Sequence, residues 1–211
     1  MNLAHIVVEN GGEARFEMHV TARRFGVLMG IVGVISLALG CEATMVARTI
    51  DVFPGHLKET LTHVAHHEGS AFVEILQNCN VFNDGAFLDM TEKAVRDDRT
   101  IALEHGKPLI FGKEMNKGIR LKGTRLEVVE FAPGSPPDDL LVHDEDDPDA
   151  TVAYILSRMA PPEFPFPIGV FRRVELPTLG RAIHQQIDEV SARSAGDLEK
   201  LIRGPETWTV E

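Results

Sequence analysis

The arrangement in this sequence best suited to chemistry is a thiol set among side-chain amides. In the stretch QNCNVFNDG, residues 77–85, Asn78, Asn80 and Asn83 crowd Cys79, and Asp84-Gly85 reads as a tight turn. A thiolate there would be a soft metal ligand, and neighbouring amides could donate hydrogen bonds to its sulfur. The competing reading is a buried free cysteine, among the residues most often found in cores. No Cys-x-x-Cys accompanies it, and a zinc or iron–sulfur site takes about four ligands, so spacing alone favours the core.

Other reactive side chains gather in less specific patterns. His63, His66 and His67 could turn two imidazoles toward one metal, but no carboxylate is clearly placed to complete a facial triad, and a solvated helix face is the better reading. HDEDDPD, residues 143–149, offers oxygen ligands to calcium yet lacks the sharp-turn glycine and the closing glutamate of a calcium loop. It reads as a solvated acidic loop. Lys107 and Lys113 in HGKPLIFGK could approach an anion, but the chain has no phosphate loop, dinucleotide fingerprint or nucleophile elbow.

The elements that would position these residues follow from patterning. EATMVARTI predicts a buried strand ending near Asp51. PGHLKETLTHVAHHEG predicts a helix from Pro54, with Leu57, Leu61, Val64 and Ala65 inward and Gly69 beyond its end. SAFVEIL is the next strand, so the three form one βαβ unit with parallel neighbours. Functional residues of such sheets gather at carboxyl ends of strands, and Cys79 falls just past one.

Downstream, LDMTEKAVRDDRTIALEHG reads as partly helical. KPLIFG, KGIRLKG and RLEVVEF read as short strands of an antiparallel appendage, and APGSPPDDLLVHDEDDPDA as a linker. TVAYILSRM predicts a short helix, APPEFPFPIGVFRRVE an extended segment, and the tail a helix with Leu179, Ile183 and Ile187 on one stripe. Residues 1–34 carry a Gly11-Gly12 break and no clear period.

Composition narrows the class. The chain has 211 residues, 44% of them hydrophobic, and a net charge of −11, which suits a globular α/β domain and repels nucleic acid. Two cysteines make no disulfide framework, as expected of a reducing, cytoplasmic setting. The apolar run before Cys41 imitates a lipoprotein signal, but it is short for a membrane span and follows Glu9, Glu13 and Glu17, so it reads as a buried helix or a strand plus helix. No membrane partner is expected.

Several blocks together point to a family. GCEATMVARTID, HEGSAFVEILQNCNVFNDGAF, LEHGKPLIFGK, NKGIRLKG, PEFPFPIGVFRRVE and GDLEKLIRGPETWTV, in this order, closely resemble the β subunit of 2-oxoglutarate (2-oxoacid):ferredoxin oxidoreductase from about Ile35 onward. The resemblance implies residues 1–34 as an unmatched segment, 35–85 as the later part of a thiamine diphosphate-binding, Rossmann-like domain with a parallel sheet, and 86–211 as a C-terminal extension. It implies oxidative decarboxylation of a 2-oxoacid to an acyl-coenzyme A, with electrons passing through a 4Fe–4S cluster to ferredoxin and an α subunit as companion. Thiamine diphosphate, Mg2+ and the cluster are the implied cofactors, and Cys79 the implied cluster ligand. The family's Cys-x-x-Cys-Gly and Gly-Asp-Gly…Asn motifs are not in this sequence, and Cys41 stands where the family has a small residue. The chain is therefore expected to be a shortened β subunit, from a truncated or frameshifted gene, a miscalled start or a new amino-terminal segment. It is expected to be inactive alone; a non-catalytic docking module for the α subunit is the alternative, and a metal protein built on His63, His66 and Cys79 a third. A sheet lacking its early strands should expose an edge unless residues 1–34 or a partner cover it.

Overall fold

A computed structural model describes residues 3–10, 14–21, 33–78, 80–81, 84–85, 87–193, 196–205 and 208. The chain divides into two units, Met1–Leu176 and Pro177–Glu211.

The first unit is built on a six-stranded sheet of order β2-β1-β4-β3-β9-β5. β3 (Met45–Ile50), helix α2 (Pro54–His66) and β4 (Ser70–Gln77) form the expected βαβ unit, with β3 and β4 parallel from Met45↔Ala71 to Ile50↔Leu76. Two strands join from outside the expected unit. The proline-rich segment supplies β9 (Phe166–Arg173), which runs antiparallel to β3, and β5 (Thr100–Leu103) lies parallel to β9. β9 is buried over Pro167–Arg172, so the segment read only as extended is an inner strand. The sheet thus draws strands from both sides of residue 85.

Residues 1–34, patternless in sequence, contain a hairpin. β1 (Leu3–Asn10) pairs with β2 (Ala14–Thr21) and, over all eight of its residues, antiparallel with β4. The outer side of β4 is therefore covered by the amino-terminal hairpin, as the edge argument allowed.

Alternation along the strands sends side chains to two faces. Met45, Ala47, Ala71, Val73 and Val170 pack with Val64 of α2 on one face. Val46, Phe72 and Phe171 pack on the other with α1 (Val34–Gly40), with Leu156 of α5 (Thr151–Ser157), and with Leu109, Phe111 and Ile119. The segment expected to be a buried helix or a strand plus helix is thus α1, with Ile35 and Leu39 in the core. Helices α3 (Leu88–Thr91) and α4 (Arg96–Arg99) are single turns before β5.

The appendage forms as read: β6 (Ile110–Phe111), β7 (Lys117–Lys122) and β8 (Arg125–Glu130) make an antiparallel sheet. The expected linker after it is packed instead. Leu141 N donates to Ile119 O, Leu109 N to Leu141 O and His143 N to Lys107 O, while the Leu140 side chain sits against Gly118. Composition marked this stretch as solvated because its acidic residues outnumber the apolar ones that anchor it.

The second unit holds α6 (Leu179–Arg193) and α7 (Leu198–Arg203), neither with a buried residue. Among the described residues no helix is long and apolar enough to cross a membrane.

Candidate functional site

The carboxyl ends of β3 and β4 carry a clasp of side chains around the asparagine that precedes Cys79. Asn78 N donates to Asp51 Oδ2 at 3.1 Å, and Asp51 N donates to Leu76 O at 3.0 Å, so the two parallel strands end tied together. The Asn78 side chain then bridges forward. Its Nδ2 donates to Asp84 Oδ1 at 2.9 Å, and its Oδ1 accepts the Gly85 N–H at 2.9 Å. Asp84 Oδ1 accepts the same Gly85 N–H at 3.0 Å. Gly85 has φ +75, a left-handed conformation that glycine adopts without strain. Residues 78 and 85 are thus stapled across the loop whose sequence holds Cys79. Cys79 itself, and with it the predicted thiolate position, lies outside the described residues, as does Asn83.

Beneath the clasp, inside the sheet, Arg48 Nε donates to Glu74 Oε2 at 2.5 Å, with both side chains buried. Parallel register puts these residues side by side, and the Arg48 guanidinium lies 4.3 Å from the Phe166 ring centroid. A charged pair at matching positions of two otherwise apolar strands is the sequence signal for it: MVARTI against AFVEIL.

A second feature is a cleft of about 440 Å3 on the α2 side of the sheet. It is lined by His56, Glu59, Thr60 and His63 of α2, by Ala102 of β5 with His105 and Lys107 after it, and by Glu145, Gly169 and Val170. His56 Nδ1 lies 2.7 Å from the Thr49 hydroxyl, and burial lowers its pKa while the Glu59 carboxylate partly opposes the shift. Lys107 is engaged by Glu104, and Glu145 by Arg173 at 3.0 Å.

The three histidines at the end of α2 have separate surroundings. His63 lines the cleft, His66 Nδ1 is 2.7 Å from the Thr62 carbonyl of its own helix, and His67 Nε2 meets the Thr44 hydroxyl at 2.8 Å. Because the Thr44 hydroxyl donates to Ser70 O, it accepts from His67. Burial and the Arg173 charge lower the His67 pKa. The solvated-face reading thus holds for His63 and His66, and fails for half-buried His67. The buried side of α2 is also more polar than its leucines suggested: Thr60 and Val64 are inside, while Leu61 is exposed.

The acidic loop is spent on structure. His143 is 1% exposed, its Nε2 donates to Val170 O at 2.7 Å, and burial lowers its pKa. Arg173 takes both Glu145 and Asp146, and Asp149 accepts the backbone and hydroxyl of Thr151. Those two bonds hold the Asp149 carboxyl below the usual carboxylate range. The expected solvated loop is therefore half correct: Asp144 and Asp146 face solvent, while His143 and Glu145 are core.

No family model matches the chain. The 2-oxoglutarate oxidoreductase subunit KorB of Mycobacterium tuberculosis is 38% identical over 183 residues, which are 84% of this chain and 48% of that protein. Over those residues the chain is homologous to that subunit. It spans about half the length of that relative. The β subunit of 2-oxoacid:ferredoxin oxidoreductase 1 of Aeropyrum pernix is 40% identical over 57 residues, 27% of this chain and 18% of that one. In fold, this β-subunit homologue matches 2-oxoglutarate:ferredoxin oxidoreductase from Magnetococcus marinus, solved with 2-oxoglutarate, coenzyme A and succinyl-CoA bound. That match has TM-score 0.50 and 21% identity, covering 82% of this chain and 44% of that one.

The residues present do not by themselves make up a site for the cofactors implied by the resemblance. A 4Fe–4S cluster takes about four protein ligands, whereas this chain has two cysteines, of which Cys41 is exposed. Among the described residues no group of three or more His, Cys, Asp or Glu could hold a metal ion. Of the clasp carboxylates, Asp51 Oδ2 accepts from Asn78 and Asp84 Oδ1 accepts from Asn78 and Gly85, while the buried Asp51 Oδ1 meets no hydrogen-bond partner among the described residues; no Gly-Asp-Gly is present for a magnesium-bound diphosphate.

Proposed function

We propose that this chain serves as the later portion of the β subunit of a 2-oxoacid:ferredoxin oxidoreductase, with 2-oxoglutarate as the 2-oxoacid. The observation carrying this reading is the clasp: a parallel strand pair ends in QNCN, and Asp51, Asn78 and Asp84 hold the ends of that loop at fixed separation. The 38% identity to KorB supports the same assignment. Cys79 contributes one thiolate to the 4Fe–4S cluster, and further polypeptide supplies the other ligands and the site for thiamine diphosphate and Mg2+. The chain's own contribution is positional: the clasp sets where the Cys79 loop leaves the sheet. By itself the chain neither retains the cluster nor turns over, and it acts with an α subunit, coenzyme A and ferredoxin in the cytoplasm.

The test is iron content. The chain is assembled with an α subunit and a polypeptide bearing the Cys-x-x-Cys-Gly and Gly-Asp-Gly segments, and iron and acid-labile sulfide are measured per complex. Cys79→Ala should lower both while the complex stays assembled. Unchanged iron would remove Cys79 from the cluster and the reading with it.

The alternative is a non-catalytic docking module for the α subunit, for which the apolar stripe of α6, Leu179, Ile183 and Ile187, would be the candidate contact.

A further inference from the structure

β4 is paired on both sides. β3 lies parallel along one side, from Met45↔Ala71 to Ile50↔Leu76. Along the other, β1 runs antiparallel from Leu3↔Gln77 to Asn10↔Ser70, so all eight residues of β4 are in register with it. The backbone groups of β4 are thereby shared between β3 and β1, and the strand offers no free edge to a further one. Gln77, opposite Leu3, is the residue before Asn78 of the clasp. The hairpin therefore covers β4 up to the point where the QNCN loop leaves the sheet.

Direction matters as much as occupancy. Functional loops of parallel sheets gather at neighbouring carboxyl ends of strands. β3 supplies such an end at Asp51, whereas β1 presents its amino end beside the clasp. A strand pairing parallel to β4 in place of β1 would bring its own carboxyl-end loop next to the loop that follows Asn78. With β3 on the other side, this edge is where such a neighbour can enter. The hairpin is held there by one ladder, and among the described residues no helix makes a comparable contact with β1 or β2. A cover of this kind can be exchanged strand for strand.

We propose that the hairpin β1–β2 is an autoinhibitory cap on β4: it occupies the edge on which a strand of the completing polypeptide must pair, and it is displaced when that strand enters. The inference rests on the β-subunit reading above, in which further polypeptide supplies the remaining cluster ligands. The same ladder lets a chain about half the length of its relative KorB keep this edge paired until then.

The experiment measures binding, by sedimentation velocity, between the full chain and a polypeptide bearing the Cys-x-x-Cys-Gly and Gly-Asp-Gly segments, and follows backbone amides by hydrogen exchange. Ile6→Pro and Val7→Pro each delete one amide of β1. Adjacent amides of an inner antiparallel strand point to opposite partners, so one variant weakens the β4 ladder and the other the β2 ladder. Apparent affinity rises with the fraction of chain whose edge is free, so each variant should bind about 10-fold more tightly than wild type. Binding to the wild-type chain should abolish protection of the β1 amides while the β3 amides keep theirs. Binding that leaves β1 protected, or proline variants of wild-type affinity, would overturn the cap and leave the β-subunit reading standing. Fast exchange of the β1 amides in the free wild-type chain would overturn it too. So would loss of β3 protection in the proline variants, which would make the hairpin an integral part of the sheet. No binding by the wild-type chain or by either variant would instead defeat the β-subunit reading, and the inference with it.

Discussion

Asn78 and Asp51 meet at the carboxyl ends of neighbouring parallel strands, backbone N–H to carboxylate at 3.1 Å. That bond fixes where the chain turns away from the sheet, and the Asn78 side chain then fixes where it returns, at Gly85. A loop held at both ends can present its intervening residues at a reproducible place, which is what a metal-ligating thiolate requires.

Asn78→Ala should therefore loosen the loop more than the fold. It removes two hydrogen bonds, to Asp84 and Gly85, each worth about 0.5–1.5 kcal/mol. Hydrogen exchange at the Gly85 amide should quicken by roughly 10-fold or more, while the β3 and β4 amides keep their protection. Asn78→Asp should be worse at pH 7 than at pH 4, because it opposes a second carboxylate to Asp84. Exchange at Gly85 as slow as in the wild type would show that Asp84 alone holds that amide and that the Asn78 side chain is not needed for it.

The Arg48–Glu74 pair gives a different pattern. Both side chains are buried, so removing one partner strands a charge at a cost of about 3–5 kcal/mol. Arg48→Met or Glu74→Leu alone should destabilise by that much in urea unfolding. Together they should cost far less, since an apolar pair of similar volume is often neutral. Additive losses would mean the two residues act independently.

Much of this was legible in the sequence, and the reasons for the rest are physical. Hydrophobic runs bounded by Pro54 and Gly69 gave the βαβ unit, because local period suffices to define adjacent elements. β9 was obscured by its prolines, although Pro167 sits at the β5 side of the strand where a parallel pairing begins, and β5 by its length of four residues. The hairpin of residues 3–21 has no period a window can detect and depends on pairing with β4. Asp51 carries no signal of its own, because a lone aspartate at a strand end looks like turn chemistry; only the register of β3 on β4 brings it to Asn78. The cleft joins His56 to His105 and Glu145, residues far apart in sequence, so no spacing rule could assemble it.

Acid should destabilise the first unit early. Burial lowers the pKa of His56, His67 and His143 below the ordinary value of 6.5. The unfolded state then binds more protons than the folded one as pH falls through that value, so stability present above it is lost as pH drops toward the folded pKa values. The melting temperature should be flat from pH 8 to 7 and fall below about pH 6.5. His143→Gln, which removes the most buried of the three titrating groups, should flatten that fall even if it lowers stability at pH 8. An unchanged acid slope would show that His143 does not contribute to it.

At Gly169 the backbones of β5 and β9 approach closely. Its φ is +123, and an added Cβ would stand 2.7 Å from the Leu103 carbonyl oxygen. Gly169→Ala should destabilise by more than about 1 kcal/mol and disturb the cleft that Gly169 lines. Equal stability in urea would contradict the close approach of these strands.

The measurement that tests the central claim most directly is ferredoxin reduction driven by 2-oxoglutarate in the presence of coenzyme A. The account predicts no turnover from this chain with the α subunit alone, and turnover once polypeptide carrying the Cys-x-x-Cys-Gly and Gly-Asp-Gly segments completes the complex. Full activity from the chain and α subunit alone, or none from the completed complex, would contradict it.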